Sequence, residues 1–180
     1  MTTQVLTVGH SNHPLEEFLE MLEVNGVELI GDVRSVVGSR RNPQFGRDEL
    51  PRSLEAAGIG YRLLEDLGGR RYTRVGEPTV NGAWRNHSFQ SYADYMQTEA
   101  FAGGVDELIG LAEERRVAIM CAEAVPWRCH RSLIGDALVV RGVEVLDIMS
   151  RTSNRPHTLT SFARVEGQRV WYPPEEEPAS

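Results

Sequence analysis

The sequence predicts one α/β domain built on a mainly parallel sheet of about five strands, with helices on both faces and a small C-terminal hairpin. Apolar runs such as QVLTV, ELI and VAIM are continuous rather than alternating, as in buried parallel strands. Amphipathic segments join these runs through short connections, which is typical of βαβ units. The length of 180 residues suits one domain. We expect it to span residues 1–172, with 173–180 a disordered acidic tail.

The N-terminal part of the chain predicts a strand–helix–strand unit. The run QVLTVG ends in a loop at residues 9–11. In PLEEFLEMLEVNG the apolar residues fall on one helical face, Pro14 suits the first turn, and Gly26 suits the stop. The next run, VELIGDV, predicts a second strand that ends at residues 32–34.

The middle of the chain predicts a helix, a strand, a long loop and two more helices. DELPRSLEAAG has proline in its first turn and glycine at its end, and IGYRLLE is the next strand. Residues 66–88 are rich in glycine and lack an apolar period. A loop of this length in a compact domain is usually functional or disordered. Residues 89–116 predict two helices that break near Gly103 and Gly104.

The last part of the chain predicts a strand, a helix, a strand and a hairpin. VAIMC is the strand, and the first turn of the helix that follows holds Cys129, His130 and Arg131. VEVLDIMS predicts the last parallel strand. The segment LTSFARVEGQRVWYP predicts a hairpin that turns near Glu166 and Gly167.

The charge of the chain is unevenly distributed. The net charge of −7 argues against a protein that coats nucleic acid. All 19 basic residues are arginine, and nine of them lie between Arg34 and Arg74. A site for an anion within an acidic protein is therefore expected.

We expect neither a signal peptide nor a membrane helix. The N-terminal residues MTTQVLTVGHS contain no basic stretch followed by an apolar one. No apolar run approaches the roughly 18 residues that a membrane helix needs. The expected compartment is therefore the cytoplasm, where both cysteines remain thiols.

Four polar clusters fall at the predicted carboxyl ends of strands. In an open parallel sheet these ends share one edge, which is where ligands bind. A cap or an ion pair explains any one of the clusters, but their combination predicts a functional cleft. The clusters are Gly9-His10-Ser11, Asp32-Val33-Arg34, the arginine-rich stretch after the third strand, and Cys121-Ala122-Glu123.

The segment CAEAVPWRCHRS, residues 121–132, carries both cysteines of the chain. The N-terminus of a helix presents unpaired N–H groups and a positive potential, which attract anions. A cysteine at that position ionises more easily, and Arg128 and Arg131 favour its ionisation. Cys129 equally fits an inward-pointing helix residue, and Cys121 fits a core position at the end of its strand.

A set of short motifs, in a fixed order over about residues 5–172, resembles a known family. The motifs are GHS at 9–11, DVR at 32–34, LGGR at 67–70, YADYM at 92–96, CAE at 121–123 and CHR at 129–131. Together they resemble a widespread prokaryotic family of uncharacterised proteins, the domain of unknown function numbered 488. The resemblance implies a single α/β domain and marks these positions as the family's own. It implies no reaction.

The first functional hypothesis is a cleft that binds or hydrolyses a phosphate-bearing ligand, either a nucleotide-like small molecule or the end of a nucleic acid. Arginine forks suit phosphate, carboxylates and imidazoles suit acid–base chemistry, and Tyr72, Trp84 and Tyr92 offer aromatic faces. The expected catalytic residues are His10, Asp32, Glu123 and Cys129. The expected ligand-binding residues are Ser11, Arg34, Arg70, Arg71, His130 and Arg131.

Three alternatives stay open. A thiol-dependent enzyme for sulfur transfer or phosphatase-like chemistry would use Cys121 or Cys129, although the spacing from Cys121 to Arg128 is longer than in a phosphatase loop. A non-catalytic module that senses a nucleotide would use the same cleft. A metal site matches no structural zinc spacing, so no metal ligand is assigned; its candidates are His10, His13, Asp32, Cys121, Glu123, Cys129 and His130. The cofactor and the oligomeric state are left open.

Overall fold

A computed structural model describes residues 2–38, 40–71 and 77–175. Its centre is a six-stranded sheet, formed by β1 (Gln4–Gly9), β2 (Leu29–Asp32), β3 (Gly60–Leu63), β4 (Val117–Cys121), β5 (Glu144–Ile148) and β6 (Asn154–Pro156). The strand order is β3-β2-β4-β1-β5-β6. The first five strands are parallel, and β6 is an antiparallel edge strand. The predicted mainly parallel sheet is therefore confirmed.

Helices cover both faces of this sheet, as predicted. They are α1 (Leu15–Val24), α2 (Glu49–Ala56), α3 (His87–Tyr95), α4 (Glu99–Glu114) and α5 (Arg131–Val140). Apolar side chains of α1 and α2 form one core with the sheet, in which Phe18, Leu22 and Leu54 are fully buried. Side chains of α3, α4 and α5 form the other core, in which Tyr92 and Leu108 are fully buried.

The order of the strands reverses between β1 and β4, which are neighbours at the centre of the sheet. From β1 the chain crosses α1 to reach β2 on one side, and from β4 it crosses α5 to reach β5 on the other side. The two connections lie on opposite faces of the sheet. A crevice therefore opens at the carboxyl ends of β1 and β4, where α/β proteins bind their ligands.

Two helix boundaries differ from the prediction. The break expected near Gly103 and Gly104 is wrong, because α4 runs through both glycines and begins at Glu99, capped by the side chain of Thr98. Gly104 instead lets α4 pack closely on the chain near Leu67. The expectation that Cys129 lies in the first turn of α5 is also wrong, since that helix begins at Arg131.

The C-terminal part contains a predicted hairpin and an unpredicted strand. The hairpin consists of β7 (Arg164–Glu166) and β8 (Arg169–Trp171), and Gly167 makes the turn with a φ of +61°. The residues of β6 are all exposed and carry no apolar pattern, so the sequence does not indicate this strand. Most of the predicted acidic tail, residues 176–180, lies outside the described residues.

No helix within the described ranges is both long enough and apolar enough to cross a membrane.

Candidate functional site

The loops that leave β1 and β4 are joined backbone to backbone. His10 N–H donates to the carbonyl of Cys121 over 2.9 Å, and Ser11 N–H donates to the carbonyl of Ala122 over 2.9 Å. Gly9 permits this contact, because a Cβ atom at that position would lie 1.6 Å from the carbonyl oxygen of Glu123. The GHS and CAE motifs therefore meet at the crevice.

Two adjoining clefts occupy this edge of the sheet. The first, here the cysteine cleft, has a volume of about 290 Å³ and contains Cys121, Cys129 and His130. The second, here the histidine cleft, has a volume of about 700 Å³ and contains His10 and Ser11. Both are bordered by Arg34, Val36, Ala122 and Glu123, so they form one continuous rim.

Both cysteines line the cysteine cleft. Cys121 ends β4, and its thiol lies 3.6 Å from the carbonyl oxygen of Glu123. Cys129 precedes α5, and its sulfur accepts the N–H of Arg131 over 3.4 Å. Burial opposes ionisation of Cys121, but the hydrogen bond from Cys129 and the charge of Arg131 outweigh it and lower the Cys121 pKa. Burial and the neighbouring Cys121 raise the pKa of Cys129.

His130 lies beside the cysteine pair with a defined tautomer. Its Nε2 lies 2.8 Å from the carbonyl oxygen of Val33, so Nε2 carries the proton and donates it. Burial lowers the pKa of His130 to about 4, so the ring is neutral at pH 7 and Nδ1 is an acceptor. This Nδ1 lies 3.4 Å from the sulfur of Cys129. His130 can therefore accept the thiol proton of Cys129.

Asp32 and Arg34 form a buried pair beneath the rim. The guanidinium of Arg34 donates from Nε and from Nη2 to the carboxylate of Asp32, the latter over 2.8 Å. The Tyr61 hydroxyl donates to the same carboxylate over 2.5 Å. Asp32 is fully buried and lines neither cleft, so it positions Arg34 rather than facing a ligand.

His10 packs between the Asp32–Arg34 pair and the aromatic core. Its ring stacks on Phe45 at 4.5 Å, its Nδ1 donates to the carbonyl of Ser11, and its Nε2 accepts from Arg34. Burial, reinforced by the charge of Arg34, lowers the pKa of His10. A neutral His10 is therefore held at the wall of the histidine cleft.

The LGGR segment packs against the cysteine cleft and reaches it with Arg70. A Cβ atom on Gly69 would lie 2.5 Å from Nδ1 of His130, so no side chain fits at this position. The backbone N–H of Arg70 donates to the hydroxyl of Ser35 over 2.6 Å. Arg71 instead lies 3.8 Å over the ring of Tyr95 and donates to the carbonyls of Gly68 and Glu65.

The YADYM motif holds the same segment from α3. The Tyr92 hydroxyl donates to the carbonyl of Leu67 over 3.0 Å, and the Tyr95 hydroxyl donates to the carbonyl of Asp66 over 2.7 Å. Tyr92 is fully buried, so it offers no stacking face to a ligand. Trp84 packs against Phe89 away from the cysteines, and Tyr72 lies outside the described residues.

Arg131 points into the protein rather than toward a ligand. Its side chain is fully buried and donates to the carbonyls of Glu123 and Ala124 and to the hydroxyl of Thr7. It therefore fixes the loop after β4 from below and places a positive charge under Cys121. The expected direct contact of Arg131 with a bound anion does not fit this placement.

A second buried network lies behind Arg131 and was not predicted from the sequence. Thr7 donates to Asp147 over 2.6 Å, and His157 bridges Asp147 and Asp136 at 3.8 and 2.8 Å. The Tyr172 hydroxyl donates to Asp136 over 2.7 Å. The five residues are spread over distant parts of the chain, so no local motif could reveal them. The network ties the C-terminal part to α5 and β5.

Most of the predicted site residues lie on the shared rim. Those that line the two clefts are His10, Ser11, Arg34, Arg70, Glu123, Cys129 and His130. Asp32, Arg71 and Arg131 support the rim from beneath or beside it. The predicted ligand-binding set lacks Arg128, Ser35 and Ser88, which line the cysteine cleft. The position of Arg128 in the CAEAVPWRCHRS segment was the available signal.

A metal centre finds no support in these positions. Among residues 2–38, 40–71 and 77–175, no three histidine, cysteine, aspartate or glutamate side chains converge in a way that could hold a metal ion.

Fold and site together define an α/β protein with a buried thiol pair in a cleft at the topological switch point of its sheet. The chain belongs to the family described as Domain of unknown function DUF488, whose model matches residues 14–138, more than half of the sequence. This match confirms the family that the motif order indicated. No curated protein and no solved structure matches the chain.

Proposed function

We propose that the cysteine cleft binds a phosphate-bearing ligand, a nucleotide-like molecule or the end of a nucleic acid. One observation carries the proposal: the exposed side chains of Arg70 and Arg128 line the same cleft from two different loops. Neither guanidinium forms an ion pair with a described carboxylate. Two guanidinium groups without ion-pair partners on one cleft are suited to bind a phosphate group through charged hydrogen bonds.

The other arginines of the region have structural partners. Arg34 is paired with Asp32, Arg71 is held by carbonyls, and Arg131 is buried. The binding of an anion therefore falls to Arg70 and Arg128.

The size of the cleft limits the ligand. A volume of about 290 Å³ lies at the lower end of small-molecule sites, which span roughly 300–1,000 Å³. The cleft accommodates one nucleotide or one terminal residue of a strand, and it is too small for a duplex. Phe89 borders it and offers an aromatic edge to a base.

Hydrolysis of the ligand would fall to Glu123. Its carboxylate is exposed on the rim shared by the two clefts, whereas Asp32 is buried and saturated with hydrogen bonds. An exposed carboxylate beside a bound phosphate can activate water as a general base. Glu123→Gln is then expected to retain ligand binding and to lose turnover.

The test is a titration of the protein with inorganic phosphate and with a nucleoside monophosphate. Charged hydrogen bonds contribute about 1.5–3 kcal/mol each, so Arg128→Gln should weaken binding by at least about tenfold. Arg52→Gln is the matched control, because Arg52 is exposed on α2 and lines neither cleft. Equal affinities for wild type and Arg128→Gln would overturn the proposal.

A second candidate function is thiol-dependent catalysis by Cys121. The observation that favours it is that Cys121 lines the cleft beside the buried guanidinium of Arg131, which, against the effect of burial, helps to lower the Cys121 pKa. This placement favours Cys121 over Cys129 as the nucleophile. Cys121→Ser separates the candidates, because turnover of any substrate survives if the cysteine only lines the cleft and vanishes if it is the nucleophile.

A further inference from the structure

A further pocket, here the aromatic pocket, borders the short turn Pro126–Arg128 that precedes α5. Its volume is about 490 Å³, which lies within the range of small-molecule sites. Trp84 and Trp127 give the pocket two aromatic side chains, and Thr158 and Thr160 give it hydroxyl groups. Walls of this kind, largely aromatic with a few polar groups, are typical of a ligand site.

Trp127 offers an accessible ring to the aromatic pocket. It is 53% exposed, although tryptophan is largely buried in most proteins. The guanidinium of Arg155 lies 4.8 Å from the centre of the Trp127 ring, and Arg155 lines the same pocket. Proteins that bind single-stranded nucleic acids stack the bases on exposed aromatic rings and on arginine side chains. Trp127 and Arg155 therefore form a surface on which a flat base can stack.

The aromatic pocket adjoins the cysteine cleft. Trp127 lines the aromatic pocket, and the next residue, Arg128, lines the cysteine cleft. At a second place Trp84 lines the aromatic pocket and Phe89 lines the cysteine cleft, and the centres of their rings are 5.1 Å apart. Consecutive Cα atoms are about 3.8 Å apart, so the two spaces are separated by little more than one residue. A ligand longer than one nucleotide can therefore extend from one into the other.

We propose that the aromatic pocket holds the second base of a single-stranded nucleic acid whose terminal phosphate lies in the cysteine cleft. This inference rests on the proposed binding of phosphate in that cleft, and it selects the end of a nucleic acid over a free nucleotide. The cysteine cleft, at about 290 Å³, accommodates one nucleotide, so the next base needs a place outside it. Only a single strand presents an unstacked base to a side chain.

The charges of the two spaces agree with this division. The cysteine cleft holds two exposed guanidinium groups, which suit a phosphate. In the aromatic pocket the positive groups have partners within the protein. Arg155 lies against the ring of Trp127, and His157 lies between the carboxylates of Asp136 and Asp147. Ring faces and hydroxyl groups remain for a ligand, and these suit an uncharged base.

The experiment measures dissociation constants by calorimetry on the whole chain with two pairs of probes. Each pair consists of a deoxyadenosine monophosphate and the dinucleotide that extends it by one deoxyadenosine, with the terminal phosphate at the 5′ end in one pair and at the 3′ end in the other. We expect the dinucleotide of one pair to bind at least about fivefold more tightly, because stacking on an aromatic side chain strengthens binding by roughly 5- to 150-fold per base. Equal affinities within both pairs would overturn this inference and leave the phosphate site standing. No binding of any probe would overturn both.

Variants of Trp127 then test where the second base lies. Trp127→Ala should bring the ratio of the two affinities to about one, and Trp127→Phe, which keeps an aromatic face, should retain most of it. Trp171→Ala is the matched control, because Trp171 also lies beside an arginine, Arg169 at 4.4 Å, but lines neither the aromatic pocket nor the two clefts. Because Trp127 is exposed, its replacement leaves the core intact. A ratio that is unchanged in Trp127→Ala, or that Trp171→Ala reduces equally, would overturn the inference.

Discussion

Gly9 is the position where the ends of β1 and β4 come closest. A methyl group there would overlap the carbonyl of Glu123, whose oxygen lies 1.6 Å from the ideal Cβ position. Neither partner is a flexible side chain, so the backbone must separate and the contact between the two loops is lost. Gly9, the first residue of the GHS motif, is thus explained by a steric requirement at the crevice and not by a ligand contact.

Gly9→Ala should therefore destabilise the protein strongly. Overpacking of this kind costs about 1–3 kcal/mol in a typical core, and we expect a loss in the free energy of unfolding at or above the upper end of that range. Urea unfolding measures it. Gly103→Ala is the control, because nothing lies within 4 Å of a Cβ atom there. In mid-helix this change should stabilise by about 0.5–1 kcal/mol. A harmless Gly9→Ala would contradict the close approach.

The same positions show what the sequence can and cannot reveal about single residues. The rule that ligands bind at strand ends was enough to place His10, Glu123 and Cys129 on one rim. It could not tell that Asp32 and Arg131 turn inward, because direction depends on partners distant in the chain. Arginine is rarely buried, so the residue type alone predicts an exposed side chain that can contact a ligand.

The secondary-structure elements were predictable where the hydrophobic periodicity and the residues at the ends of the elements indicate the same structure, as in β1, α1 and β2. The boundaries that were wrong have local causes. Two adjacent glycines suggested a break in α4, but tight packing of Gly104 on Leu67 requires a small residue inside a continuous helix. The start of α5 moved because the sulfur of Cys129 accepts the N–H of Arg131, which a sequence pattern does not disclose.

The anchoring of the β4 loop on α5 through Arg131 has a measurable consequence. Arg131→Met removes a fully buried cation and leaves the carbonyls of Glu123 and Ala124 without their donor. Leaving a buried acceptor without its hydrogen-bond donor costs about 1–3 kcal/mol for each group. We expect a loss of that size in the free energy of unfolding, measured by urea titration.

Arg62→Met on β3 is the matched control for that variant. Arg62 pairs with Glu107, both side chains are exposed (55% and 41%), and such pairs contribute about 0–1 kcal/mol. The two variants lose the same charge and gain the same side chain. A similar cost for both would show that Arg131 is not the anchor of the loop.

Protonation of buried histidines links distant parts of the fold to pH. His130 and His10 are buried and neutral at the crevice, and burial lowers the pKa of each, that of His130 to about 4. His157 lies between two carboxylates, and although burial lowers its pKa, Asp136 and Asp147 raise it to about 9. Protonation of His10 and His130 therefore affects the stability of the fold below neutral pH, and deprotonation of His157 affects it above neutral pH.

We expect the free energy of unfolding to be greatest near pH 7. In the folded state the pKa values of His10 and His130 are lowered. Below the unfolded histidine pKa of about 6.5, the unfolded chain therefore binds more protons than the folded protein, and the free energy of unfolding decreases as the pH decreases. The stabilisation from charged His157 is complete below about pH 6.5 and is lost as the pH rises through its folded pKa of about 9. Urea unfolding from pH 5 to pH 10 measures both limbs.

The variant His157→Gln separates those two limbs. It removes the group whose folded pKa is raised but leaves His10 and His130 unchanged, so the decline from pH 7 to pH 9 should flatten while the acid decline persists. The variant should also be less stable than wild type at pH 6.5, where charged His157 holds Asp136 and Asp147 together. If the free energy of unfolding falls between pH 7 and pH 9 as steeply in His157→Gln as in wild type, another group is responsible for that fall. The charge of His157 would then not hold the C-terminal part in place.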